Sequence, residues 1–494
     1  MKTAILRVFR SVLPLVCAAV FGTAQAAEFE LRSGVDVLPS KQSTVEALHF
    51  ATVSRDLGGG LYAGHSLYSA AKGDAGGLFI GGFEVFQRIN IAPRWSLDIG
   101  GFLGGGGGAR AYYGDGLMAK GQMTLNHAFA HGFMAHLGAG WTRVRGSTID
   151  TPHYSFAVSR KIGVGVSPGH GTSLVAAGIT IASAKALGRI YLPVSSARRN
   201  SPGNLNRMLL LGGEVTFRGA TQDAVEVFLA GAAAAGGDSG GYADWFIGPR
   251  FFTDPIADGR LRAFADLGLG FGGGGDVDTG GGLMATASAG LDLRLSPGFH
   301  AEAGVMGIGA FGGDFRAAAA FVRAAMRFDD QQARAGAQAT NGTRHWRFST
   351  GLSRQASHPG FRKTGHRFTG SDVTLIESGV DLKLTPELYL AASAYAAFDG
   401  LAGGYGMGTL GLGLEFPLHD KVSVSGEIFG GAAAGAGIAT GGGLIGGAKL
   451  EVDYRVHDNL ALSVGAGRWF SPGTARPWTL HAGVKIPFSM AHAK

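Results

Sequence analysis

Along much of this chain every second side chain is apolar. Leu291-Asp-Leu-Arg-Leu295, Val380-Asp-Leu-Lys-Leu384, Leu450-Glu-Val-Asp-Tyr-Arg-Val456 and Glu214-Val-Thr-Phe-Arg218 each set charged or hydroxyl groups on one face and apolar groups on the other. A period of two belongs to a half-buried β-strand, and it suits a strand standing between lipid and a wet lumen. In the first two stretches an acid and a base lie two positions apart, Asp292 with Arg294 and Asp381 with Lys383, close enough to neutralise each other in part. Turn signals punctuate the pattern: A-P-R at 92–94, D-P at 254–255, S-P-G at 296–298, T-P-E at 385–387 and H-D-N at 457–459. Proline and small polar residues there close hairpins. Counting between them predicts an all-β, antiparallel protein of about 22 to 26 strands, with lengths that fit tilted membrane strands of ~9 to 11 spanning residues.

A longer period overlies the short one. Gly104 to Gly108 leads to Gly116-Leu117-Met118-Ala119, Gly272 to Gly275 to Gly282-Leu283-Met284-Ala285, and Gly430 to Gly437, interleaved with alanine, to Gly443-Leu444-Ile445-Gly446. The second elements stand 166 and then 161 residues apart, which predicts three internal repeats of about 160 residues. These are placed at 27–195, 207–329 and 344–488, with the polar stretches Ser195 to Arg207 and Asp329 to Arg344 read as long loops or as boundaries. A shorter echo, Thr409-Leu410-x-x-Gly413-x-x-Phe416-Pro417-Leu418 and Thr479-Leu480-x-x-Gly483-x-x-Ile486-Pro487-Phe488, suggests growth by hairpin duplication.

Composition sharpens the class. Lys2, Arg7 and Arg10 precede an apolar run from Val12 to Phe21 and then Ala24-Gln25-Ala26, so residues 1–26 read as a secretory signal peptide. Cys17 is the only cysteine and lies within that leader, preceded by Val16 where a lipoprotein signal wants a small residue, so the mature chain is expected to have no disulfide or thiolate metal site. Beyond it no apolar run is long enough for a helical span. The 86 glycines among 494 residues are more than twice the usual share of ~7%. A thin Gly/Ala strand either bends the wall or lets something approach it closely; curvature and loop flexibility are the expectation, with lumen clearance or a seam for a partner as the alternative. The net charge of +7 is scattered, which argues against nucleic acid as a partner.

The last strand, Leu480 to Phe488, alternates with Val484, Ile486 and Phe488 on one face and Lys485 on the other. Its spacing His481-x-Gly483-x-x-Ile486-x-Phe488 resembles the C-terminal signal of bacterial outer-membrane β-barrel proteins. It departs from that family at Pro487, which cannot donate to a ladder, and in the six residues, 489–494, that follow the aromatic as a short tail. The resemblance implies a transmembrane β-barrel of porin or export-channel type in the Gram-negative outer membrane, reached after secretion through the inner membrane. The implied partners are outer-membrane lipid, the insertion machinery reading His481, Gly483, Ile486 and Phe488, and a periplasmic or lipoprotein partner filling or feeding the lumen. Closing a sheet leaves no edge in lipid. One barrel over 27–488 is preferred to three tandem eight-stranded barrels, because only the last third ends in such a signal and the linkers are short. A soluble repeat-rich β protein such as an adhesin is the rival.

The candidate chemistry is thin. Gly237-Asp238-Ser239-Gly240-Gly241 spells the nucleophile motif of trypsin-like proteases, yet Tyr242 follows and no A-A-H-C context precedes it, so a turn is expected. His127, His131 and His136 would need a helix to share a zinc face, and their segment reads strand, turn at Gly132, strand. Matches to G-x-G-x-x-G lack a strand-to-helix context and imply no nucleotide. His65-Ser66 and Asp115 could serve a rim enzyme acting on lipid A or phospholipid. No cofactor or metal is implied. The expected function is therefore a non-enzymatic channel for export of a large polymer, polysaccharide or protein, or for diffusion of solutes, with a surface, structural or adhesive barrel and a lipid-modifying enzyme as alternatives.

Overall fold

The computed structural model describes residues 27–39, 44–108, 115–164, 179–194, 198–199, 201, 203–219, 224–237, 239–328, 343–365, 370–458 and 460–491. The leader with Cys17 and most of the stretch Asp329 to Arg344 lie outside them. Among the described residues twenty-four antiparallel strands follow one another, inside the range expected from turn signals. They do not close as one barrel. The first eight are β1 (Ala27–Val37), β2 (Val45–Asp56), β3 (Leu61–Gly73), β4 (Phe79–Ala92), β5 (Trp95–Gly107), β6 (Met118–Ala128), β7 (Phe133–Val144) and β8 (Asp150–Val164). They form a closed barrel in which Gly34 of β1 pairs with Ala157 of β8. The second barrel comprises β9 (Ile179–Pro193), β10 (Met208–Gly219), β11 (Val225–Gly236), β12 (Ala243–Phe252), β13 (Leu261–Gly273), β14 (Leu283–Ser296), β15 (Phe299–Ala310) and β16 (Arg316–Arg327), closed by Gly188 on Val322. The third comprises β17 (Thr343–Gln355), β18 (Val373–Lys383), β19 (Leu388–Asp399), β20 (Gly406–His419), β21 (Val422–Ala434), β22 (Leu444–His457), β23 (Leu460–Phe470) and β24 (Trp478–Ala491), closed by Gly351 on Gly483.

Three eight-stranded barrels thus replace the expected single one. The physical reason is the size of the inward side chains. Eight strands leave a bore just wide enough to be filled, and the charges on the polar faces find partners across it: Arg32 of β1 reaches Asp98 of β5 at 2.7 Å, and Lys185 of β9 reaches Glu302 of β15 at 2.6 Å. In a lumen of some 24 strands those groups would face only water. Strand β9 pairs with β10 and β16, so the second barrel begins before residue 195 and the stretch Ser195 to Arg207 is a connection within it. The first three residues of the expected tail, Ser489 to Ala491, continue β24.

All three barrels point the same way. The connections 93–94, 297–298 and 420–421 are two residues long and lie at one end, with the first and last strand ends of each barrel; the opposite end carries longer loops such as 274–282 and 435–443.

The loop ends hold the barrels together. In each, the third and fourth strands are joined by the same turn: Ala75-Gly-Gly-Leu78, Ser239-Gly-Gly-Tyr242 and Ala402-Gly-Gly-Tyr405. The amide of the last residue donates to the carbonyl of the first at 3.1, 2.9 and 2.9 Å. The residue between, Gly77, Gly241 or Gly404, has φ of 93°, 100° or 86°, the positive value that a type II turn needs there. Each turn packs on the glycine-rich connection between the fifth and sixth strands of the next barrel. The Gly76 amide donates to the Gly280 carbonyl at 2.8 Å and the Gly404 amide to the Gly106 carbonyl at 3.0 Å, while Gly240 faces Gly442 backbone to backbone. First barrel on second, second on third and third on first, the contacts run head to tail and close a ring.

Side chains extend the two seams that the first barrel makes. Trp245 donates to the Ser69 hydroxyl at 3.0 Å and the His49 ring stacks on Phe271 at 4.6 Å; Leu117 and Leu103 pack with Ile376 and Phe398, and the Leu401 amide donates to Asp115 at 2.9 Å. The glycine runs are therefore seams, as the alternative reading had it, but between thirds of one chain rather than with a separate partner; curvature and loop flexibility had been the expectation. A methyl group on Gly105 would sit 2.9 Å from the Ala397 oxygen and from Phe398 Cβ, whereas one on its ladder partner Gly81 meets nothing within 4 Å. Gly105→Leu is expected to cost about 1–3 kcal/mol by overpacking, lowering the temperature at which the compact band is lost on a gel, while Gly81→Ala leaves it in place.

Candidate functional site

The feature shared by all three barrels is a lumen sealed at two levels. Toward the loop end each bore carries an apolar stopper. Leu38, Leu78, Ile80 and Met118 belong to it in the first barrel, Tyr191, Met208, Phe246 and Phe315 in the second, and Phe361, Tyr405, Ile445 and Trp469 in the third. Alternation aims them inward, and the loop residues Leu78, Phe315, Phe361 and Tyr405 fold back over the mouths.

Toward the short-turn end the bores hold charge. In the first barrel Glu30, Arg32, Arg88 and Asp98 form a closed square with contacts of 2.7 to 3.0 Å, and Lys120 pairs with Asp36 above it. In the second, Arg250 bonds Glu214 and Asp266, both at 2.6 Å, and Arg323 bonds Glu302 and makes an ion pair with Glu214, both at 3.0 Å. In the third, Arg347 bonds Asp381 at 2.7 Å and Glu415 at 2.6 Å, Lys485 bonds Glu451 and Asp453, both at 2.9 Å, and His481 meets Glu377 at 2.9 Å. Arg250 is wholly buried. A cavity of about 20 Å³ persists among Glu377, Glu427, Lys449 and Lys485, room for about one water.

The pairing expected within strands runs across them instead. Asp292 bonds Arg262 at 2.9 Å and His300 at 2.6 Å, while Asp381 takes Arg347 and Lys383 takes Glu415 at 2.7 Å. A directly opposite residue lies nearer than one two positions along the same strand. The outer faces have the reverse character: Leu291, Leu293 and Leu295 are 42 to 65% exposed around the buried Asp292.

The other candidate groups do not come together. His65 packs outward on Phe83 and Phe348, at 4.3 and 5.3 Å between rings, whereas Ser66 points inward to Thr52 and Glu84 and Asp115 is held by Arg145 at a seam. Consecutive residues of a strand face opposite ways, so the rim-enzyme arrangement is not assembled. Ser239 is the first residue of a seam turn, equivalent to Ala75 and Ala402 and fully buried, with Asp238 outside the described residues. His136 is an inward lumen group bonded to Asn126 and Ser159, both at 2.7 Å, while His127 stacks outward near Trp95 at 4.4 Å. Among the described residues no metal-holding group forms. In β24, His481 lies in the lumen, Gly483 closes the ladder on Gly351, Ile486 packs beside Phe348, and the backbone of Phe488 pairs with Trp346.

The seam turn is the feature that sequence reasoning missed. Its signal was present in the spacing of Ala75, Ser239 and Ala402, each followed by Gly-Gly and an apolar or aromatic residue.

Closed antiparallel barrels with charge inside and apolar residues outside define the class of a transmembrane β-barrel. No protein-family description and no curated protein matches the chain. Among solved structures it is similar to OccK11 (OpdR) of Pseudomonas aeruginosa at 13% identity and a TM-score of 0.23, with 94% of this chain and 96% of that chain covered. A mutant of the ferric enterobactin receptor PfeA of the same organism, in complex with enterobactin, gives 11%, 0.29, 94% and 82%. A structure from the de novo design of transmembrane β-barrels gives 12%, 0.20, 29% and 94%. At those scores the likeness assigns no role to this chain.

Removing the Arg250 guanidinium leaves Glu214 and Asp266 short of their central cation. Arg250→Met is expected to destabilise the second barrel by about 3–5 kcal/mol, measured by denaturant unfolding, with Arg250→Lys recovering part of the loss.

Proposed function

We propose that this chain is an outer-membrane β-barrel protein of three fused, sealed barrels, acting as a surface or structural element rather than as a wide passage. The observation that carries this reading is the inverted polarity. A soluble barrel buries apolar groups and exposes charge, whereas here buried Glu214, Arg250 and Glu302 stand within walls whose outer faces present Leu267, Leu269, Leu291 and Val305. Such a face is covered by lipid. The same observation weighs against the soluble adhesin, and the filled bores remove the wide lumen that had motivated polymer export. Two-residue turns at one end and longer loops at the other support a periplasmic turn end, with the seams facing the cell surface. In planar bilayers the purified protein is expected to give no long-lived open level; a steady conductance of porin size would overturn the sealed-lumen reading.

The terminal signature is proposed to guide insertion, with Ile486 and Phe488 at alternate positions of the closing strand. Replacing Phe488 by alanine is expected to lower the amount of heat-modifiable protein in the outer-membrane fraction several-fold. His481 is the less telling position, because it also bonds Glu377 in the lumen.

A further inference from the structure

One cleft on the loop end of the third barrel belongs neither to a seam nor to a lumen. It has a volume of about 510 Å³ and lies between the β17–β18 loop and the β23–β24 loop, lined by residues 356–360 together with Arg468, Thr474, Arg476 and Trp478. Its two walls are tied together before any ligand arrives. The Ala356 amide donates to the Trp478 carbonyl at 2.9 Å and Thr474 Oγ1 to the Gly360 carbonyl at 2.6 Å. The Arg476 amide donates to His358 Nε2 at 3.0 Å, which leaves Nδ1 as the ring donor, to the Pro359 carbonyl at 2.8 Å. A site held in shape in this way loses little entropy on binding.

The lining is cationic and carries no acid. Arg468 sits between the rings of Phe470 and Trp478, at 5.0 and 5.1 Å, and its buried Nε has no hydrogen-bond acceptor among the described residues. Arg476 is exposed on the loop above. The nearby carboxylate, Asp372, is already engaged by the Ser357 amide and by Arg354, both at 2.8 Å, and that amide hydrogen bond above all holds its pKa below the ordinary value. Arg468 as a whole is only half-buried, and planar guanidinium groups suit phosphate. Just below the cleft the outer wall turns apolar, with Trp478, Leu480, Val464 and Leu462 all exposed. Cations above an aromatic and aliphatic strip match an anionic head carried on hydrocarbon tails.

We propose that this cleft binds the phosphate headgroup of an outer-leaflet amphiphile, its acyl chains lying along Trp478 and Leu480, an inference that rests on the membrane reading above. The test uses the full-length protein, freed of lipid in detergent, with short-chain phosphatidic acid as the probe and binding followed by calorimetry. The double variant Arg468→Gln, Arg476→Gln is expected to bind at least tenfold more weakly, with Arg143→Gln, an exposed arginine at the loop end of the first barrel, unchanged. Short-chain phosphatidylcholine with the same tails is expected not to compete. Equal binding by wild type and double variant, or none by wild type, would overturn the proposal; competition by inorganic phosphate at equal concentration would overturn the amphiphile and leave a soluble phosphate ligand. Heat-modifiable migration of every variant checks the fold separately, so that loss of the site is not confused with failure of the membrane reading. Arg476→Gln alone, on an exposed loop, carries the test if the double variant does not fold.

Discussion

Charge held inside a narrow bore is the constraint on which the molecule depends. A carboxylate or guanidinium taken from water costs several kcal/mol unless it is paired with good geometry. In the second barrel Lys185, Glu214, Arg250, Asp266, Glu302 and Arg323 meet that demand together, each cation touching at least one acid from another strand. Such a network works only at the width of eight strands, where opposite walls lie within side-chain reach. The lumen charges and the three-fold division of the chain are therefore one fact: residues that would be solvated on the wall of a wide barrel become ion pairs in narrow ones.

Sealing the bores moves the interesting surfaces outward. Side-chain volume is spent inside, so the walls can be thin where barrels meet, and glycine at the loop ends lets backbone approach backbone. Contacts that run head to tail continue without end unless the rotation brings the last unit back to the first. Here it does, since the third barrel's turn reaches Gly106 of the first. Arg199 adds a strap between a loop of the second barrel and Asp74 of the first. At the loop end the three barrels thus share one rim built largely of backbone.

Much of the strand pattern was legible in the chain. Alternation in Leu291 to Leu295 and in Leu450 to Val456 placed each acid on the inner wall, and the glycine runs marked corresponding places in the three thirds. Closure was not legible. Local pattern is the same for a strand that pairs with its next neighbour and for one that returns to pair seven strands back, so β8 pairing with β1 rather than continuing to β9 depends on lumen width, a non-local quantity. For the same reason Asp292 was assigned the nearer base in sequence, Arg294, when Arg262 stands opposite it on β13 and His300 reaches it diagonally from β15. At Ser239 a protease-like motif overlay a repeated turn whose other copies carry alanine, and the turn expected there is the one that forms.

Three closed barrels rather than one can be tested by cross-linking the strands that close each ring. In a background with Cys17 replaced, Ser33→Cys with Val158→Cys, Ile190→Cys with Ala320→Cys, and Arg354→Cys with Leu480→Cys each join first and last strands of one barrel at opposed ladder positions. Opposed antiparallel residues lie about 4.5–5.5 Å apart at Cα, within disulfide reach. Formation of all three bonds under mild oxidation in the outer membrane, each altering the mobility of the unfolded chain on a gel, is the result predicted. Failure of these pairs, with bonds forming instead between cysteines placed on β8 and β9 and on β16 and β17, would contradict the three-barrel architecture.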